Sequence, residues 1–279
     1  MRCFLSLLVI LLTICLQYSC ADKEPVRTRK VENIIHLSHT RYWNNKKIED
    51  QTSKLDLEVY DKILLGGDLM MNTSKDSASI EIANQIFDLS SENTLLSVGL
   101  HDTYDQELLQ AYTQRKNSYV HTDSDITYLI VDTNVQWDAG EQMELINSVV
   151  DTVKSSNLII LTHHLVWMYD HDELTTMADS VSNAPIGDCD YCIRENSFHA
   201  KLYPKLVNLE MNGTEVWCIA GDIGFKVPQF EYETKEGITF LASGMGHSKL
   251  VKKAIIITRE NSNAELSYEF KDLSALPQK

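Results

Sequence analysis

The sequence predicts a layered α/β domain, and three observations predict it. Five short apolar runs each stop on a polar turn that carries a histidine or an aspartate. Between them lie segments whose apolar residues recur at helical spacing, so strand and helix alternate. From Glu215 onward that spacing fades, and strand-like runs joined by short turns follow, which calls for a second sheet packed on the first. With 279 residues and 43% hydrophobic content the chain can bury a full core, as one large domain or two small ones.

Residues 1–19 read as an export signal. Arg2 precedes an apolar block, Cys3 to Leu16, that is too short to span a membrane, and Gln17-Tyr18-Ser19 leads to Cys20. Cys20 and the polar residues after it resemble a bacterial lipoprotein site. That places the mature chain in the cell envelope or at the surface, held to the membrane through a lipidated Cys20, with plain secretion as the other outcome. Residues 20–30 form a charged tether, and 31–275 the folded domain. The first run, Asn33 to Leu37, leads into Ser38-His39-Thr40-Arg41, and the second, Lys62 to Leu65, into Gly66-Gly67-Asp68. Ser77 to Leu89 follows as a helix, with Ile80, Ile82, Ala83, Ile86 and Phe87 near helical spacing and Ser74 or Ser77 as its N-cap. Thr94 to Val98 runs into Gly99-Leu100-His101-Asp102, and Ile126 to Val131 is a buried strand ending on Asp132. Gly140 to Ser155 is a helix striped by Met143, Ile146, Val150 and Val153. Asn157 to Leu161 delivers Thr162-His163-His164, and Glu215 to Ile219 delivers Ala220-Gly221-Asp222. Residues 165–200 read as an irregular lid or rim, and 237–242, 254–259 and 265–270 as closing strands. In an open α/β sheet the ligand crevice lies outside the carboxyl ends of the strands, so five such ends point to one polar site.

A net charge of −15 argues against nucleic acid or an anionic membrane as a partner held by surface charge. An anionic substrate then needs a metal or a buried arginine. Cys189-Asp190-Tyr191-Cys192 has no second Cys pair, which disfavours a zinc knuckle. In an exported chain it closes as a small disulfide or stays as two packed thiols, with His199 as the residue that would complete a metal site.

These blocks, in this order, resemble the calcineurin-like metallophosphoesterase superfamily from about residue 31 to 270. The family carries Asp-x-His, Gly-Asp, Gly-Asn-His-Asp/Glu, a lone His and Gly-His-x-His at successive strand ends, where they hold two metal ions that activate water against a phosphate ester. The resemblance implies a four-layer αββα sandwich, two mixed sheets flanked by helices, and a small phosphorylated substrate. Gly67-Asp68 and His163 match the second and fourth blocks. The others depart: His39 and Arg41 stand at the family's Asp and His, Leu100 at its Asn, and Asp222 and Gly224 at the last two His.

One ion rather than two follows, Zn²⁺, Mn²⁺ or Fe²⁺, held by Asp68, His163 and Asp222 with His39 as a further ligand. Arg41 takes the place of the second ion, since a guanidinium neutralises Asp68 and can fork onto phosphate. His101 with Asp102 keeps the family's acid pair, the carboxylate orienting the imidazole toward the leaving group. His164 and His36 read as packing residues, Trp167 and Tyr169 as rim, and His247 as a remote candidate. The alternative is a member that has lost turnover and binds a ligand or partner in the old crevice, as the substitutions at 39, 41 and 100 would allow.

Overall fold

The computed structural model describes residues 31–42, 47–123, 125–246, 251–260 and 264–279, which fall in one unit, Val31–Lys279. The segments expected to be an export signal (1–19) and a tether (20–30), and with them Cys20, lie outside the described residues, as does His247. Two mixed sheets organise the chain. The first has the order β11-β10-β1-β2-β3, with β1 (Val31–Leu37), β2 (Lys62–Leu65) and β3 (Thr94–Leu96) parallel, and β10 (Lys253–Glu260) and β11 (Leu266–Asp272) added antiparallel. The second has the order β4-β5-β6-β7-β9-β8. Here β5 (Ile126–Val131), β6 (Asn157–Thr162), β7 (Glu215–Ala220) and β9 (Thr239–Ser243) are parallel, edged by antiparallel β4 (Tyr119–Asp123) and β8 (Gln229–Glu233).

Three apolar layers follow from these faces. Ile34, Leu64 and Leu95 of the first sheet meet Tyr128, Ile159, Leu161 and Ile219 of the second. The outer face of the first sheet packs on helices α1 (Ser77–Phe87) and α2 (Gln106–Thr113), and that of the second on α3 (Gly140–Thr152), α4 (Leu174–Val181) and α5 (Tyr203–Met211). The second sheet is covered on both faces at its centre, which is why β5 and β6 are buried along their whole length rather than alternating. The result is the helix, sheet, sheet, helix order that the sequence resemblance implies.

Several local details differ from the sequence reading. The N-cap of α1 is Asp76, whose carboxylate accepts from Ser79 N at 2.8 Å, while Ser74 Oγ donates to Asp102 O. The stretch 165–200 is not irregular throughout, since it contains α4. Trp167 is fully buried and stacks on Phe240 at 5.1 Å, so it is core rather than rim.

Where the parallel strands end, the two sheets touch through backbone. A Cβ on Gly66 would lie 2.8 Å from Gly221 Cα and 2.7 Å from His36 Nε2, so no side chain fits between the ends of β2 and β7. Ser38 Oγ, just past β1, bridges to the carbonyls of Gly221 (2.8 Å) and Gly67 (3.2 Å). At the strands' starting ends, charges do the joining. Lys62 Nζ meets Asp123 at 2.8 Å, and Arg259 meets Glu32 at 2.9 Å and also Asp125.

Candidate metal centre

The turns after β1 and β2 bend sharply, and besides Gly67 (φ 87°) the residues at the bends are not glycine. His39 (φ 51°) and Asp68 (φ 57°) both occupy the left-handed region, at a cost of about 1–3 kcal/mol each that the surroundings must impose. Asp102 supplies much of that constraint. Its carboxylate accepts from Asp68 N (2.7 Å), Leu69 N (3.0 Å), Gly99 N (2.9 Å) and the Thr73 hydroxyl, fastening the turn after β2 to the turn after β3. Asp102 therefore braces backbone and is not the carboxylate that orients His101. That imidazole is set by Met71, whose carbonyl accepts from Nδ1 at 2.9 Å.

Asp68 stands at the centre. Its Oδ1 accepts from His101 N at 3.1 Å and lies 3.8 Å from His163 Nε2, and its Oδ2 lies 3.5 Å from His39 Nε2 and 3.4 Å from Arg41 Nη1. Burial alone would raise the Asp68 pKa, but the positive charges of His163, His39 and Arg41 outweigh it and bring the group to about 2. Asp222, from the second sheet, accepts from Ala184 N at 3.2 Å and faces His39 Nε2 at 3.1 Å. Burial opposes its ionisation, yet the His39 hydrogen bond and the charge of His163 hold it well below the usual carboxylate range. His163 moves the other way. Burial favours its neutral form, but Asp68 and Asp222 together lift it above the ordinary imidazole value.

Nδ1 of His163 is engaged, donating to Gly66 O at 2.7 Å, which leaves Nε2 as its only open position. His164, expected to pack on the opposite side, instead lines the same cavity, its ring 4.9 Å from that of His163. Two sets of donors are close enough to share an ion: His39, Asp68 and His163, or His163, His164 and Asp222. Imidazole with carboxylate suits Zn²⁺, Mn²⁺ or Fe²⁺, so the donor chemistry fits the expected metals. Both sets need the one lone pair of His163 Nε2, so filling one excludes the other.

The cavity beside these groups measures about 440 Å³. Arg41 reaches it from a side chain only 9% exposed, its guanidinium 5.6 Å over the Phe225 ring, and its Nε has no partner. Asp68, His163, Asp222, His39, Arg41 and His101, all anticipated from sequence, line this cavity together. Phe225 and Tyr191 also line it and were not anticipated; Tyr191 lies within the Cys189–Cys192 stretch, which was read for its cysteines alone, and Phe225 sits in no motif. His36 is buried, with Nδ1 2.8 Å from Ser243 Oγ, as a core residue. Cys189 and Cys192 are joined as a disulfide, so no metal site forms there with His199, which hydrogen-bonds Trp167 O instead.

No family model matches the chain, and no curated protein is similar to it. Solved structures are similar in outline. A dimetal phosphatase from Danio rerio aligns with 85% of this chain and 98% of its own at 9% identity and TM-score 0.49. A conserved uncharacterised protein from Streptococcus pneumoniae, described as a predicted phosphoesterase, aligns over 90% and 94% at 11% identity and TM-score 0.39. A 5′-nucleotidase precursor from Thermus thermophilus aligns over 89% of this chain and 56% of its own at 10% identity and TM-score 0.42. None of these likenesses assigns a residue; the site rests on its own geometry.

Proposed function

We propose that this chain is a metal-dependent phosphoesterase that hydrolyses a small phosphate monoester or diester and works with one ion. The observation that carries the reading is Arg41: a nearly buried guanidinium holds Asp68 where the sequence resemblance puts a second ion, and it keeps an unpartnered Nε beside the cavity. A guanidinium that lines a cavity and meets its carboxylate through one nitrogen can fork onto an incoming phosphoryl group with its others. The ion, when bound at His163, supplies Lewis acidity toward water and phosphoryl oxygen. Asp68 orients Arg41 and His163, Arg41 binds and neutralises the phosphoryl oxygens, and His101 gives a proton to the leaving oxygen.

A second reading, a binding protein without turnover, is favoured by Leu100. This apolar residue stands at the family's Asn position, lines the cavity and is 36% exposed. One assay separates them: hydrolysis of p-nitrophenyl phosphate by the folded protein with Mn²⁺ or Zn²⁺, against the same protein in EDTA. Metal-dependent turnover supports the hydrolase; phosphate binding without turnover supports the second reading. Export, with or without a lipidated Cys20, is part of the proposal, and the Cys189–Cys192 disulfide supports it because such bonds persist outside the cytoplasm.

A further inference from the structure

Two overlapping donor sets compete for His163, and the second nitrogen of each ring decides between them. An imidazole that binds an ion through Nε2 carries its proton on Nδ1 and needs an acceptor there. His163 has Gly66 O at 2.7 Å, and His164 has Thr133 O at 3.1 Å. A carbonyl only accepts, so neutral His163 carries its proton on Nδ1 and leaves Nε2 bare; His164 Nδ1 lies 3.1 Å from both the carbonyl and the hydroxyl of Thr133, and the carbonyl takes its proton when Nε2 holds an ion. Thr133 also holds the His164 backbone, its hydroxyl accepting from His164 N at 3.0 Å, so this ring is positioned as firmly as its neighbour. His39 differs: its Nδ1 is buried with no partner, and its Nε2, between two carboxylates, is placed to donate to Asp222 Oδ1.

Charge selects the same set. An ion between His39, Asp68 and His163 would sit against the Arg41 guanidinium, 3.4 Å from Asp68 Oδ2. Asp222, among the described residues, has no Lys or Arg in ion-pair contact and only His39 as an ion-pair partner. We infer that the ion is held by His163, His164 and Asp222, while Arg41 neutralises Asp68 without an ion and His39 donates to Asp222. Each buried carboxylate then has one cation, Arg41 for Asp68 and the metal for Asp222. Two imidazoles and one carboxylate leave further coordination positions open and suit Zn²⁺, Fe²⁺ or Mn²⁺. This assignment deepens the one-ion reading and replaces Leu100's lost family ligand with a residue that no motif marks.

The experiment is a Co²⁺ titration of the metal-free full chain, read by visible absorption and calorimetry, for the wild type and for His164→Ala and Asp68→Asn. Wild type takes up one Co²⁺. His164→Ala weakens Co²⁺ binding by more than ~100-fold, beyond what loss of a hydrogen-bond partner to a ligand costs, whereas Asp68→Asn, such a partner at most, stays below ~100-fold. Circular dichroism and melting establish that each variant is folded; if His164→Ala is not, His164→Asn is compared with Asp68→Asn in the same way. Unchanged affinity on loss of His164, or equal losses in both variants, overturns the assignment. Co²⁺ held through His164 without hydrolysis of p-nitrophenyl phosphate leaves it standing and removes the phosphoesterase reading. Hydrolysis with an ion that depends on Asp68 and not His164 does the reverse, and a folded wild type that binds no Co²⁺ overturns both.

Discussion

Buried charge sits at both ends of the parallel strands, and the two ends handle it differently. At the starting ends, Lys62 lies 2.8 Å from Asp123 and Arg259 lies 2.9 Å from Glu32, each cation at hydrogen-bonding distance from a carboxylate. At the finishing ends His39 comes as close to Asp222, at 3.1 Å, but the separations around Asp68 are longer: 3.4 Å for Arg41, 3.5 Å for His39 and 3.8 Å for His163. Arg41 Nε and His39 Nδ1 have no partner there, and a cavity opens beside them. Burial of charge is thus not what marks a site in this protein. Incomplete pairing next to open volume is.

The sharpest way to break this comparison is at the closed end. Arg259→Met should destabilise the fold by about 3–5 kcal/mol, because it leaves Glu32 buried without its cation; denaturant unfolding checks it. A loss below about 1 kcal/mol would mean that water reaches this end too. At the open end the cost should appear in binding instead. Arg41→Gln should lower the affinity for inorganic phosphate by roughly 2–3 kcal/mol, the worth of charge-assisted hydrogen bonds, while leaving Co²⁺ affinity nearly unchanged. Equal phosphate affinity by calorimetry would make Arg41 a structural partner of Asp68 only.

Acid sharpens the comparison further. Asp68, brought from an ordinary 3.8 to about 2, contributes stability that is present above its unfolded value and is lost as pH falls from about 4 toward 2. Roughly 2 kcal/mol should go over that window in the metal-free protein, and Asp68→Asn should flatten this part of the pH profile. An equally steep fall in the variant would assign acid sensitivity to other carboxylates. The smallest effect belongs to Lys62→Met. Asp123 is 41% exposed and can rehydrate, so the expected cost is only about 1 kcal/mol. A loss as large as that of Arg259→Met would show that Asp123 depends on its cation as heavily as Glu32 does.

The site's framework was legible because apolar runs ending on His or Asp fix both a strand and what its end presents, and all of Asp68, His163 and Asp222 arrived where that pattern put them. What failed was inference from adjacency. His163 and His164 lie beyond the last residue of β6, Thr162, so strand alternation no longer sends their side chains to opposite faces. His101 and Asp102 sit in a 3₁₀ turn, Leu100–Asp102, where consecutive side chains diverge by about 120°, so Asp102 turns into the backbone of Asp68 while the imidazole goes to Met71. The α1 cap was missed for a similar reason: the run Ser74-Lys75-Asp76-Ser77 holds three capping residues, and only the geometry of Asp102 reveals that Ser74 is already engaged.

Gly66 and Gly221 touch backbone to backbone, and this contact is needed to bring the sheets together whether or not an ion is ever bound. Replacing every imidazole would leave that contact intact, whereas a side chain at either glycine would push the strand ends apart. Divergence in chemistry has to be traced at positions 41, 163, 164 and 222, where side chains have room to change without separating the two halves of the molecule.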